Sequence, residues 1–309
     1  MKKWVVRMQD GRTVADILRK MNENVSAVDD GRVFIGKKRV EASTERVAPG
    51  DELHVGPVTT SVRTVQVLFE GDGLLACIKP AGIPTIPDHS GSAHALVSIV
   101  ARQTSRAPDT LRITSRLDRE VSGVVVFATT GEAEERLRLA REEGTYHRRY
   151  VAIACGALSG DEGVWNAPIG DGKDPRHRAA FGPNEKEAAT RWKVVRRSPR
   201  DIALALLAVE PITGRTHQIR VHAAHAKVPL FGDRDYGGPG QVVLANGRVV
   251  ALQRIALHCA RVRALGHLFQ APMVEEVAAV WRQLGGGEAD LDEAVNLSMS
   301  KPSSPAPRR

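Results

Sequence analysis

Aromatic residues make up only 4% of this 309-residue chain. That scarcity argues against a broad platform for stacking single-stranded nucleic acid, though a local pocket needs only one or two rings. Cysteine is scarce as well. Cys77, Cys155 and Cys259 stand far apart, form no C-x-x-C pair and are odd in number. A disulfide framework is therefore not expected, and buried reduced thiols of a cytosolic protein are. No apolar run approaches the ~20 residues of a membrane span. The N-terminus, M-K-K-W-V-V-R-M-Q-D, is basic but lacks the apolar region of a signal peptide. A cytoplasmic protein without a membrane partner is the expectation. Positive charge is not lacking: 44 Lys and Arg against 36 Asp and Glu leave a net charge of +8. That excess suits a polyanionic partner through electrostatic steering and counterion release, and it equally suits plain solubility.

The length fits one large domain, or a medium domain with a small appendage, and 42% apolar residues are enough for a core. Residues 1–60 are expected to form a small α/β module. Val14, Ile17, Leu18 and Met21 recur at helical spacing, with Asp10 or Thr13 as the cap. Short strands follow at 32–35, 39–40 and 52–55, with turns at 36–38 and 48–51. Residues 64–285 are expected to form the main domain. Its strand candidates are 74–78, 123–128, 150–154, 202–209 and 218–221, with a charged amphipathic helix at 132–143. Strands outnumber helices, and neither βαβ alternation nor an internal repeat is present. The expected class is therefore α+β, a mainly antiparallel mixed sheet. Residues 286–309 have low hydrophobicity and end K-P-S-S-P-A-P-R-R, and are expected to be a disordered tail.

Residues 115–127 read S-R-L-D-R-E-V-S-G-V-V-V-F. Asp118 sits between Arg116 and Arg119 on the loop entering an apolar strand, so a rigid element holds it while it can face a cleft. It is an anion at neutral pH and a candidate nucleophile. Alone, this string would equally suit a surface ion-pair cluster. A second string, at 209–225, reads V-E-P-I-T-G-R-T-H-Q-I-R-V-H-A-A-H, and V-P-L-F-G-D-R-D-Y-G-G follows at 228–238. His217, His222 and His225 invite a metal reading. In a strand, however, 217 and 222 would face opposite ways, and no Asp or Cys lies nearby at ligand spacing. The segment 232–238, G-D-R-D-Y-G-G, would suit a phosphate loop only with a helix N-terminus after it, and none is expected.

Together the two strings resemble the RluA-type pseudouridine synthases, whose corresponding strings run H-R-L-D-R-x-T-S-G-L and T-G-R-T-H-Q-I-R-V-H, then P-I-x-G-D-x-x-Y-G. Three weaker matches occur in the same order: 78–84 (I-K-P-A-G-I-P), 149–156 (R-Y-V-A-I-A-C-G) and 255–260 (I-A-L-H-C-A). The resemblance spans about 64–285. It implies the pseudouridine synthase fold and isomerisation of uridine in RNA, with no metal or redox cofactor. It also implies Asp118 as the catalytic carboxylate, Arg220 as its paired cation and Tyr150 as the ring that stacks on the base. Attack on the sugar and assistance to elimination both remain open for Asp118. Arg116 stands beside the nucleotide that must be flipped out, and Lys79 and Leu257 are assigned to substrate binding. Ser115 and Val121 replace the family's usual His and Thr, which touches substrate choice more than chemistry.

The segments G-R-V-F-I-G-K-K-R-V and P-G-D-E-L-H-V resemble the RNA-binding domain named after ribosomal protein S-four, here in a shortened form. Arg19, Lys20, Lys37, Lys38 and Arg39 are its candidate RNA contacts. The substrate expected is large-subunit ribosomal RNA, with transfer RNA as the alternative and a monomer as the working form. A catalytically silent RNA-binding relative and a metal hydrolase built on the histidines are the competing readings.

Overall fold

The computed structural model describes residues 2–28, 32–36, 38–56, 64–87, 94–200, 203–297 and 299. The chain divides into two units: Met1–Gln66 with Ile83–Leu111, and Val67–Gly82 with Arg112–Arg309. Lys37, part of the 59–66 connection and the end of the tail from 300 lie outside the described residues.

In the first unit, strands β1 (Lys2–Val5), β2 (Val33–Ile35), β3 (Lys38–Arg39) and β4 (Glu52–Val55) form an antiparallel sheet in the order β1-β4-β2-β3. Helix α1 (Val14–Lys20) lays Val14, Ile17 and Leu18 into one core with Val33, Leu53 and Val55. Thr13 and Asp16 close a capping box at its start. Asp10 does not cap. It accepts hydrogen bonds from Trp4 Nε1, Lys20 Nζ and the Arg7 amide, which bring its carboxyl down to about 2. Among the described residues, the helical element between α1 and β2 is a 3-10 turn, Val25–Ala27. Helix α2 (Leu96–Gln103) groups with these N-terminal residues, whereas the sequence boundaries of 1–60 and 64–285 put it in the larger domain.

In chain order, the second unit contains β5 (Val67–Gly71), β6 (Leu74–Lys79), β7 (Arg112–Ile113), β8 (Ser122–Ala128), α3 (Gly131–Glu142), β9 (His147–Cys155) and β10 (Glu162–Trp165). Next come β11 (Ile169–Asp171), β12 (Arg178–Ala180), β13 (Thr190–Arg197), β14 (Leu204–Pro211) and α4 (Gln218–His225). The unit ends with β15 (Gln241–Val243), β16 (Val249–Ala251), β17 (Leu257–Ala264), β18 (His267–Gln270), α5 (Glu275–Gln283) and α6 (Glu288–Asn296). Its main sheet runs β10-β13-β14-β9-β17-β8-β6-β5, with β18 on β17 and β7 on β8. The β8–β17 pair is parallel and the other described pairs of this sheet are antiparallel. This is the expected α+β, mainly antiparallel mixed sheet. Every residue of β8 is buried, which is why its sequence reads as one apolar run rather than an alternation.

Two expectations are corrected. Residues 218–221 are not a strand but the first turn of α4. Gln218–Ala223 are all buried, so no amphipathic stripe marks the helix, and the Ile219/Val221 alternation imitates a strand. His217 and His222 therefore do not occupy opposite faces of a strand, as the sequence pattern suggested. The expected disordered tail from 286 is also wrong over 288–296. The acidic composition of α6 hides Leu291, Ala294 and Val295 at helical spacing, and these pack beside Trp281 in the main core. Asp290 ties the helix down by accepting from Trp281 Nε1 and Arg196 Nε. Among the described residues, no helix is long and apolar enough to cross a membrane.

Candidate active site

Asp118 lies on the loop before β8, and that loop is fastened to the 79–82 segment. Lys79 Nζ donates to Arg119 O at 3.0 Å and to Pro80 O at 2.9 Å, and the Gly82 amide donates to Arg119 O at 2.8 Å. Burial pushes the Lys79 ammonium down to about 7, against the pull of the Glu120 carboxylate. Beyond the loop, Gly123 has φ +125°, and a Cβ there would stand 2.2 Å from Cys259 O. Only glycine lets β8 and β17 approach so closely in parallel.

Beneath the loop, Arg254 Nη2 donates to Ser122 Oγ at 2.7 Å, and Ser122 Oγ lies 2.8 Å from His258 Nδ1. The Ser122 oxygen accepts from Arg254, and the buried ring of His258 beside that guanidinium is held neutral at pH 7. Burial, reinforced by the Arg254 charge, pushes His258 from 6.5 to about 4. Across that interval the unfolded chain takes up a proton that the folded chain refuses, so stability falls as pH drops. The expected loss is on the order of 3 kcal/mol. Chemical denaturation between pH 7 and 4 should show it, with a shallower slope in His258→Asn.

Arg220, on α4, gathers three carboxylates. Nε and Nη2 grip Asp233 in a bidentate pair at 2.8 and 2.8 Å, and Nη2 also donates to Asp235 at 3.0 Å. Nη1 donates to Asp118 Oδ2 at 3.3 Å. The Arg220 guanidinium carbon sits 4.8 Å from the centre of the Tyr236 ring. Burial works against the Arg220 charge, but the hydrogen bonds and charge of Asp233, with Asp118 and Asp235, outweigh it and raise its pKa. Asp233 is 1% exposed and Asp118 25% exposed. The first is structural counter-charge; the second can be reached from solvent. Asp233 follows Gly232, whose φ of +82° and 1.9 Å from a notional Cβ to Arg254 O permit no side chain.

Of the residues chosen from sequence, Asp118 and Arg220 are therefore brought together. Tyr150 lies in β9 between Val209 and Cys259. It is almost wholly buried, and its pKa is raised well above the usual value by that burial, with Cys259 and Asp118 among the lesser contributions. Leu257 opens β17 opposite Ala152, its side chain buried. Arg116 is exposed. Ser115, where the family usually has His, is partly buried.

In the N-terminal unit, Arg19 pairs with Asp16, Lys20 with Asp10 and Lys38 with Glu45. Arg39 lies over the Phe34 ring, and Lys37 is outside the described residues.

The sequence pattern does not single out Asp233, Asp235 and Tyr236, and it suggests for His217 only a metal role. The signal for the first three is the segment 232–238, where two carboxylates and a tyrosine crowd beside glycines in a form that resembles a phosphate loop. The metal reading loses His222, whose Nδ1 meets Thr190 Oγ1 and whose Nε2 meets Ala167 O, each at 2.8 Å. Among the described residues, no three His, Cys, Asp or Glu side chains group so as to hold a metal ion. The cysteines are free, Cys155 being only partly buried. Burial pushes all three thiols up to about 12, which leaves them unreactive.

The family described as RNA pseudouridylate synthase matches residues 73–225. An uncharacterized RNA pseudouridine synthase of Bacillus subtilis, YhcT, is 34% identical over 247 residues, which is 79% of this chain and 74% of that protein. The ribosomal large subunit pseudouridine synthase C of Vibrio vulnificus is 29% identical over 287 residues, 85% of this chain and 88% of that one. The ribosomal large subunit pseudouridine synthase D of Nitrosomonas europaea is 35% identical over 226 residues, 70% of this chain and 64% of that one. In fold, the chain is similar to the structure of Human RNA Pseudouridylate Synthase Domain Containing 1. The TM-score is 0.59 at 19% identity, over 78% of this chain and 98% of that one. This chain belongs to the RluA-type RNA pseudouridine synthases, and it is an isomerase.

Proposed function

We propose that this enzyme isomerises specific uridines in structured large-subunit ribosomal RNA, with Asp118 as nucleophile on a flipped-out nucleotide. The carrying observation is a partly exposed carboxylate held by a buried guanidinium. Two of the relatives act, by name, on the large ribosomal subunit. In the reaction, the Asp118 oxygen bonds to the ribose C1′ as the C1′–N1 bond breaks and N1 keeps the electron pair. The uracil turns, C5 attacks C1′ and the carboxylate leaves; C5 then loses its proton and N1 gains one. The raised pKa of Tyr150 keeps its hydroxyl protonated at rest, which suits packing against the base. Leu257 and Lys79 would shape the pocket, and Arg116 would fill the gap left by the flipped base, at a cost of a few kcal/mol of unstacking. Incubation of the purified enzyme with large-subunit ribosomal and transfer RNA transcripts, followed by pseudouridine mapping, tests this. Discrete sites in the ribosomal transcript are expected. Modification of transfer RNA alone would overturn the substrate, and none in either would mark a silent relative.

The N-terminal residues 1–60 serve RNA binding in this reading. The pairs of Arg19 and Lys38 are surface ion pairs, worth about 0–1 kcal/mol, so phosphates can displace the carboxylates, whereas Lys20 is tied to the buried Asp10. Arg19→Glu with Lys38→Glu should weaken RNA binding and flatten its log–log salt slope by about 0.7 for each phosphate no longer neutralised. Filter binding across a salt series checks it, and parallel slopes would reduce the module to a structural cap.

A further inference from the structure

His217 stands at the N-cap of α4 with φ 57° and ψ 17°. This left-handed conformation is strained for a non-glycine residue and persists where the surroundings enforce it. The enforcing contacts differ at the two ring nitrogens. Nδ1 lies 2.8 Å from the Tyr236 hydroxyl, which itself accepts the Arg178 amide at 2.9 Å. Nε2 lies 3.9 Å from Asp118 Oδ2, the same oxygen that Arg220 Nη1 reaches at 3.3 Å. Asp118 Oδ1 has no hydrogen-bond or ion-pair partner among the described residues.

We propose that His217 is a further positioning residue of the reaction: carrying its proton on Nε2, it stands with Arg220 on Oδ2 of Asp118 and leaves Oδ1 as the oxygen that meets the ribose. This rests on the reading of Asp118 as the reacting carboxylate.

A neutral imidazole has one N–H. Nε2 faces the Asp118 carboxylate, which when ionised can only accept, so the ring proton belongs on Nε2 and Nδ1 accepts the Tyr236 hydroxyl proton. The reverse tautomer would set an Nε2 lone pair against a carboxylate oxygen. The ring is neutral at pH 7 because burial lowers its pKa. The charges facing it come next: Asp118 from the catalytic loop raises it, Arg220 from α4 lowers it, and Asp233 and Asp235 after Gly232 raise it. At 3.9 Å the Nε2–H is beyond ordinary hydrogen-bond reach. Catalytic contacts of this kind are often long in the free enzyme and tighten when substrate fills the site. Two donors on one oxygen then fix the carboxylate torsion, and an error of about 1 Å at such a group can cost ~100-fold in rate.

The full-length enzyme, labelled with 15N-histidine and with His217 assigned by difference from His217→Gln, gives a direct readout. At pH 7 the ring should be neutral with the proton on Nε2. Its midpoint should lie below that of an ordinary histidine and fall further in Asp118→Asn, which removes a charge that raises it. His217→Leu should lower kcat about 10- to 100-fold with KM little changed, and His217→Gln, which keeps an N–H donor, should recover part of that. A ring protonated on Nδ1, or a midpoint indifferent to Asp118→Asn, would overturn the proposal, as would equal losses in the Gln and Leu variants. Failure of the underlying reading would appear separately, as turnover in Asp118→Asn itself.

Discussion

Asp118→Asn is expected to yield no detectable pseudouridine, a loss of at least about 10⁴-fold, as for other removed nucleophiles. Folding and RNA affinity should persist. The amide keeps the carboxylate's shape and removes the anion on which the proposed attack at C1′ depends. Little stability hangs on that anion, because Arg220 keeps its bidentate grip on Asp233 and its bond to Asp235. Nucleoside analysis of RNA treated with purified variant, beside a thermal melt, separates the outcomes. Residual turnover above about 1% of the parent rate would sink the nucleophile, whatever the melt shows.

Arg220→Met should damage both activity and fold. It strips Asp118 of its guanidinium and leaves Asp233, 1% exposed, as a buried unpaired charge. Breaking such a pair from one side typically costs about 3–5 kcal/mol. A second variant divides the two effects. Arg220→Met with Asp233→Asn removes the buried charge together with its partner and should regain much of the lost stability in chemical denaturation. It should regain little activity, since Asp118 still lacks its cation. Recovery of activity along with stability would mean that Arg220 holds the fold and nothing more. Arg220→Lys should also fail, because a point charge cannot satisfy the bidentate Asp233 pair and still reach Asp118.

The Asp118–Arg220 pair and the class of chemistry were legible in the chain because they rest on two long strings with fixed spacing. The central strands were legible because burial on both faces leaves a plain apolar run, as in β8. Helix α1 was legible for the opposite reason: one buried face and one exposed face leave a stripe at helical spacing. Where that contrast is missing, local pattern misleads. Helix α4 is buried nearly all round at its start, so its periodicity vanishes. Helix α6 carries its apolar face within acidic residues, so its composition suggested disorder.

The family, the candidate residues Asp118 and Arg220 and the mainly antiparallel α+β class could be read from the chain alone. Which carboxylates meet which cation follows from the packed fold. Asp118 and Arg220 are 102 positions apart, and no local propensity carries the distance between them. The same holds for Asp233 as the buried counter-charge and for His217, with its two differently engaged nitrogens. Each of those roles follows from burial and from which groups face one another, and the chain acquires these only when β8, α4 and the segment after Gly232 pack together.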